Sequence, residues 1–221
     1  MGELLNLVTP IHESTARDYL QRANDEKVRC MAKAREYDYH YWDGDRRFGY
    51  GGYSYIPGLW QPVAQGLIDR YGLNEDSSVL DVGCGKGYLL YEIKLLLPDI
   101  HIVGFDISKY GITNSKKEIR EQLFNQPAEE VYPYEDDSFD LVISIGCLHN
   151  LRIQELETAL GEIQRVSKRA YTLVESYRSI SEFFNLQCWA LTANSLFDVD
   201  EWMWIYSKFG YSGDYEFIYF T

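Results

Sequence analysis

Val79-Leu80-Asp81-Val82-Gly83-Cys84-Gly85-Lys86-Gly87-Tyr88 is an apolar run that ends in an acid and passes into three alternating glycines. Val79 to Val82 reads as a buried parallel strand, and Tyr88 to Leu97 as a helix with Leu89, Ile93 and Leu96 on its apolar face. Glycines between a strand and a helix supply positive backbone angles and clear the space through which a ligand approaches. The helix start beyond them offers free amide groups. A dinucleotide site spaces its glycines G-x-G-x-x-G, whereas this run is G-x-G-x-G and puts Tyr88 where the last glycine would stand. That spacing tilts the reading away from NAD, and a tight turn without a ligand stays open.

Working outward, His101 to Phe105 is a second short apolar strand that ends at Asp106. A carboxylate at the tip of the neighbouring strand has two oxygens with which to accept both hydroxyl hydrogens of a ribose. Its other available role is to cap a helix beginning near Ser108. Helices are expected at Trp60 to Tyr71, stopped by Gly72, near Lys109 to Gln122, from about Gln154 to Val166, over Ile180 to Ala193, and from Asp198 or Asp200 to Lys208. Strands are expected at Phe139 to Ile145, Ala170 to Glu175 and Tyr215 to Phe220. Such alternation predicts an α/β fold: a Rossmann-like, doubly wound, mostly parallel sheet of six or seven strands. A seventh strand would need Tyr211 to Asp214 as a very short partner.

Ahead of the sheet, Ser14 or Thr15 starts a polar helix running to about Arg35. Tyr37 to Tyr55 is dense in tyrosine, tryptophan and glycine, has no sustained period, and reads as an ordered loop. Its aromatics, interleaved with Asp and Arg, suit a cover over a polyhydroxyl or phosphate-bearing compound, or equally the core of a cap over the sheet. The chain therefore divides into a helical and Tyr/Gly-rich cap, residues 1–59, and a ligand-binding domain, residues 60–221.

These features together resemble the class I S-adenosylmethionine-dependent methyltransferases. The resemblance rests on Asp81-x-Gly83-x-Gly85-x-Gly87, on Asp106, and on Pro133-Tyr134-Glu135-Asp136-Asp137-Ser138-Phe139-Asp140-Leu141-Val142-Ile143-Ser144 running into Leu148-His149-Asn150-Leu151. It covers roughly residues 60 to 221. It implies S-adenosyl-L-methionine as cofactor, held by Asp81, Gly83, Cys84, Gly85, Gly87, Asp106, Ile107 and Cys147. Many relatives place an acid after the third strand to meet adenine; here that position falls on Ala128, so Glu129 or the backbone around Ala128 takes the role. The fourth strand would end beside both sulfonium and acceptor.

Methyl transfer is an in-line displacement that needs alignment, and a base only when the attacking group is protonated. His149 is the candidate base, its alternative being a capping or pocket-shaping residue. Asn150, Glu175, Tyr177 and Arg178 at strand ends, with Tyr50 and Tyr53 from the aromatic stretch, are the candidate acceptor contacts. That stretch and Glu175-Ser176-Tyr177-Arg178 are similar to small bacterial methyltransferases of surface polysaccharide or sugar-modification clusters, which often carry Asp-Gly-Arg-Trp where this chain has Pro57-Gly58-Leu59-Trp60. The resemblance implies a sugar-like acceptor without naming one, and the candidate base slightly favours O- over N-methylation. A noncatalytic cofactor-binding partner, an aminopropyltransferase and a nicotinamide enzyme are the other readings.

A net charge of −13 opposes phosphate neutralisation and so argues against a nucleic-acid substrate. Arg17, Arg22, Lys27, Arg29, Lys33 and Arg35 read as solvated helix faces. No apolar run is long enough for a membrane span, and the four cysteines show neither metal nor disulfide spacing, so a cytoplasmic protein is expected. His12 and His40 lack neighbours at ligand spacing and Glu135-Asp136-Asp137 reads as a turn, so no metal is expected. The expected partner is a small-molecule acceptor, with no nucleic acid and no membrane; a homodimer is left open.

Overall fold

The structure, a computed structural model, describes residues 2–221. Four short helices come first: α1 (Thr9–Glu13), α2 (Tyr19–Asn24), α3 (Lys27–Ala34) and α4 (Tyr39–Trp42). The single helix expected from Ser14 or Thr15 to Arg35 is thus two. Asp18 caps α2 by accepting from the Gln21 amide, and Glu26 stands at φ 43, a left-handed angle at which an α-helix cannot continue. Tyr37 to Tyr55 is irregular as expected, apart from α4 and one 3-10 turn at Arg46–Phe48.

Six strands follow: β1 (Ser78–Val82), β2 (His101–Asp106), β3 (Leu123–Asn125), β4 (Leu141–Ile145), β5 (Ala170–Glu175) and β6 (Asp214–Ile218). They pair in the order β3-β2-β1-β4-β5-β6, every neighbour parallel. Among the described residues the sheet has six strands and not seven: Tyr211 to Asp214 adds no antiparallel partner, since Asp214 already opens β6, and Leu4 instead bridges Tyr215 in parallel at that edge. The remaining helices are α5 (Gln61–Tyr71), α6 (Tyr88–Leu96), α7 (Lys109–Thr113), α8 (Ile153–Val166), α9 (Ile180–Trp189) and α10 (Val199–Lys208). Helix α7 is far shorter than its expected run to Gln122, because the chain leaves the helix at Asn114 and returns only as a 3-10 turn at Arg120–Gln122.

Alternation along the strands builds a core on each face of the sheet. Leu80, Val82, Val142 and Val174 meet Leu156, Ile163 and Trp202 of α8 and α10, while Val79, Leu141, Ile143 and Leu173 meet Val63, Leu67, Leu90 and Ile93 of α5 and α6. Order reverses between β1 and β4, and in such sheets the crevice beyond the carboxyl ends at that reversal is where ligands bind. None of the described helices is long and apolar enough to cross a membrane.

The cap is clipped to the far edge of this sheet by two acids of β6. Glu216, 1% exposed, accepts from the amides of Leu7 (2.7 Å), Val8 (3.0 Å) and Thr9 (2.6 Å), from Thr9 Oγ1 (2.7 Å) and from the Tyr171 hydroxyl (2.6 Å). Asp214 accepts from the Glu3 amide (2.7 Å), the Tyr71 hydroxyl (2.8 Å) and Arg70 Nε (3.1 Å). A buried carboxylate with five donors is satisfied, and removing its charge strands several of them. Glu216→Gln is expected to cost about 2–3 kcal/mol and to lower the melting temperature by roughly 4–12 °C. A melting curve within a degree of the parent would show that this clip bears no load.

Candidate active site

The chain leaves β1 through three left-handed glycines, Gly83 (φ 78), Gly85 (φ 58) and Gly87 (φ 69). The amides of Gly83 and Cys84 both donate to the Phe105 carbonyl (2.9 and 3.0 Å), which pins the loop to β2. At Gly85 an added Cβ would lie 2.7 Å from the Trp42 ring, because the cap lays its indole on the loop. The indole Nε1 continues to Ser108 Oγ at 2.8 Å. Gly87 behaves differently from its expected role as a cofactor contact. It faces the Leu123 and Ile119 side chains, with a notional Cβ 2.8 and 2.9 Å from them, and reaches neither cavity described below, so it serves helix–sheet packing.

Two cavities of about 270 and 420 Å3 adjoin at this loop and share Trp42, Tyr50, Gly83, Ile145 and Gly146. Asp106, Ile107, Ala128, Glu129, Cys147 and Asn150 line the first. The second holds Asp81, Cys84, Gly85, Tyr53, His149 and Glu175. Asp106 accepts from the amides of Gly85 (Oδ2, 2.8 Å) and Ser108 (Oδ1, 2.7 Å). Burial raises its pKa, and those two amides oppose the rise. Each oxygen keeps a lone pair for the cavity. The helix-cap role belongs to Ser108, whose hydroxyl accepts from the Gly111 amide at 2.9 Å.

Asp81 is the exception to satisfied polarity. It is 4% exposed, its Oδ1 has no hydrogen-bond partner, and burial, then the nearby Asp106, pushes its pKa up to about 8. A buried acid without a partner and next to a second acid calls for a donor or a cation. A ligand that carries a cationic amine or sulfonium and a diol fits this pair. The thiols of Cys84 and Cys147 are pushed up by burial and by the same two acids, so they act as neutral walls.

His149, 5% exposed, follows β4 in a 3-10 turn. Its Nδ1 accepts from the Glu175 amide at 3.3 Å, which places the ring proton on Nε2, 3.6 Å from Glu175 Oε2. One residue thus engages both ring nitrogens, and the lone pairs left facing the second cavity belong to the Glu175 carboxylate.

The five other expected acceptor contacts fare differently. Tyr50 and Tyr53 line the second cavity and also stack on neighbouring aromatics: Tyr50 on Trp42 with centroids 5.3 Å apart, and Tyr53 on Tyr88 at 5.1 Å. Tyr177 and Arg178 reach neither cavity, because the chain turns away at the buried Ser176. Arg178 pairs with Glu182 and lies 3.8 Å over the Tyr219 ring, and Tyr177 packs 4.5 Å from Phe183. Asn150 faces the first cavity rather than the second, its Nδ2 tied to the Gly146 and Cys147 carbonyls.

Other residues came unannounced. Lys86, 3% exposed within the glycine loop, binds Asp43 Oδ1 and Oδ2 (2.7 and 2.8 Å) and the Tyr53 carbonyl (2.7 Å), which ties the aromatic stretch to the loop. A lysine in an apolar loop and an acid among aromatics were the available signals. Arg17 and Arg22, expected on solvated helix faces, line the second cavity, as does the exposed Arg46. Nothing local marks them, since the ring they share is Trp189. No group of three or more His, Cys, Asp or Glu among the described residues is arranged to hold a metal ion.

A methyltransferase-domain family model matches residues 73–210, and the chain belongs to this family of S-adenosylmethionine-dependent methyltransferases. It is 29% identical to a mouse mitochondrial arginine-hydroxylase, NDUFAF5, over 136 residues, 59% of this chain and 38% of that protein. It is 33% identical to the sterol 24-C-methyltransferase ERG6B of Gibberella zeae over 108 residues, 46% of this chain and 28% of that protein. The match to these two relatives spans well under half of their length. Among solved structures, the geranyl diphosphate C-methyltransferase of Streptomyces coelicolor superimposes with a TM-score of 0.53 at 15% identity, covering 68% of this chain and 60% of that one. Bacillus subtilis YcgJ does so with 0.51 at 19%, covering 66% of each. At such identities these two likenesses speak for the fold alone.

Proposed function

We propose that this protein transfers a methyl group from S-adenosylmethionine to an oxygen or nitrogen of a small polar acceptor bound in the second cavity. The observation that carries the reading is the unpartnered Asp81 carboxyl beside Asp106, where two cavities meet at the glycine loop. The cofactor, when bound, supplies an activated methyl group on a cationic sulfur. Asp106 then accepts from the ribose hydroxyls, Asp81 faces the positive charge, and Glu129 or the backbone at Ala128 meets the adenine. Gly83, Cys84, Gly85, Ile107 and Cys147 shape the walls. Glu175 takes the proton of the attacking group, and His149 positions that residue, with Nδ1 at its backbone amide and Nε2 toward its carboxylate. Residues 1–59 act as a cap whose Tyr41, Trp42 and Tyr50 roof both cavities and exclude water. Hydroxyl-rich acceptors, sugars among them, suit the tyrosine-lined side.

Calorimetric titration with S-adenosylmethionine, S-adenosylhomocysteine and NAD should give binding of the first two and none of the third; a preference for NAD would overturn the reading. A screen of hydroxyl and amino acceptors by mass shift should then yield methylated product. Tight cofactor binding with no product across the screen would make the protein a binding partner rather than a catalyst.

A further inference from the structure

The second cavity contains a charge arrangement that methyl transfer does not require. Arg17, Arg22 and Arg46 come from three separate segments of the cap, and their guanidiniums lie 5.4, 5.1 and 5.1 Å from the centroid of one ring, Trp189 of α9. Three cations gathered on one indole repel each other, and proteins ordinarily quench such a cluster with acids. Here none does so. Among the described residues no carboxylate lies within 4 Å of any of the three, in a chain carrying 34 acidic residues.

Their hydrogen bonds go to neutral acceptors. Arg17 donates to the carbonyls of His12 (3.1 Å) and Thr15 (2.9 Å) and to His12 Nδ1 (3.1 Å), Arg22 to the Arg46 carbonyl (2.6 Å), and Arg46 to the Gly49 carbonyl. Burial and Arg17 push His12 down to about 4, so it adds no counter-charge and stays neutral. The Nε atoms of Arg17 and Arg22 are buried with no partner at all. A guanidinium fork whose Nε–H is free is shaped for a two-oxygen anion.

Resting on the methyl-transfer reading above, we propose that the acceptor carries a phosphate group, bound by Arg17, Arg22 and Arg46 over Trp189. Three guanidiniums match a dianion with three terminal oxygens better than a single carboxylate, which two donors saturate. The same cavity holds Glu175 and His149, so an acceptor anchored by its phosphate at the arginine end presents its nucleophile toward Glu175. An uncharged acceptor would leave the three guanidiniums without a counter-ion, which is a reason for the site to reject it.

The test is calorimetry on the protein saturated with S-adenosylhomocysteine, titrated with inorganic phosphate, succinate and glucose. Phosphate should bind, succinate more weakly, and glucose not measurably. Arg22→Gln should weaken phosphate binding about 10- to 100-fold, and Arg46→Gln, at an exposed residue whose loss is least disruptive to folding, should weaken it in the same direction. Melting curves of both variants check folding. Absence of phosphate binding, unchanged affinity in a folded Arg46→Gln, or a preference for succinate would overturn the proposal. The S-adenosylhomocysteine titration reads the cofactor site separately: if it alone fails, the methyl-transfer reading falls while arginine-dependent phosphate binding is still measured on the unliganded protein.

Discussion

Asp81→Asn is expected to melt higher than the parent in the absence of cofactor and to lose most of the affinity for S-adenosylmethionine. The Asp81 carboxyl is held near pKa 8 in the folded chain against 3.8 for the free group. Between about pH 4 and pH 8 the folded state therefore holds a proton that the unfolded chain has released, and stability falls as pH rises across that window. An amide carries no such penalty. The melting-temperature difference between variant and parent should be near zero at pH 4, grow toward pH 8, and reach roughly 3 °C or more at neutral pH, corresponding to at least about 1 kcal/mol. Cofactor binding should weaken by about 30- to 150-fold, the loss of a charge-assisted contact worth about 2–3 kcal/mol. The parent should also release a proton on binding below pH 8, seen as a dependence of the heat on buffer ionisation. A variant that melts with the parent at every pH would show that the carboxyl is not penalised by burial, and one that binds normally would remove Asp81 from the site.

Glu175→Gln is expected to lower turnover by about 100-fold or more while S-adenosylmethionine affinity holds. The distinction from His149 is testable because the imidazole acts through a donor and an acceptor that a primary amide can imitate. His149→Gln keeps an acceptor for the Glu175 amide and a donor toward its carboxylate, so it should retain far more turnover than His149→Ala. Equal loss in His149→Gln and Glu175→Gln, at matched melting temperatures, would make the histidine the proton acceptor.

Much of the fold is legible from single elements. An apolar run with a glycine triplet states β1 and its loop, Pro98 and Gly72 stop their helices, and β5 shows all six of its residues. Strand β3 is not legible, because three residues offer no period and their pairing partner, Gly104 to Asp106, is elsewhere in the chain. The break between α2 and α3 is equally hidden, since the composition around Glu26 favours helix and only a left-handed backbone ends it. Site residues divide the same way. Asp81 and Asp106 are placed by the strands that they terminate. The misread residues depend on distant contacts: Arg17 and Arg22 look like a solvated face until Trp189 is folded against them, and His149 looks like a free base until β5 brings Glu175 against its two nitrogens.

The clip at Glu216 also sets an order of events during synthesis. Leu7 leaves the ribosome 209 residues ahead of the glutamate that fixes its amide. Contacts of that separation close late, after local strand–helix units have formed. The sheet from β1 to β5 can therefore assemble before Leu7, Val8 and Thr9 are fixed, and that end of the cap settles only when β6 has paired with β5. The aromatic roof, tied to the glycine loop through Lys86 and Asp43, does not wait for that strand, so the two ends of the cap are fixed at different times.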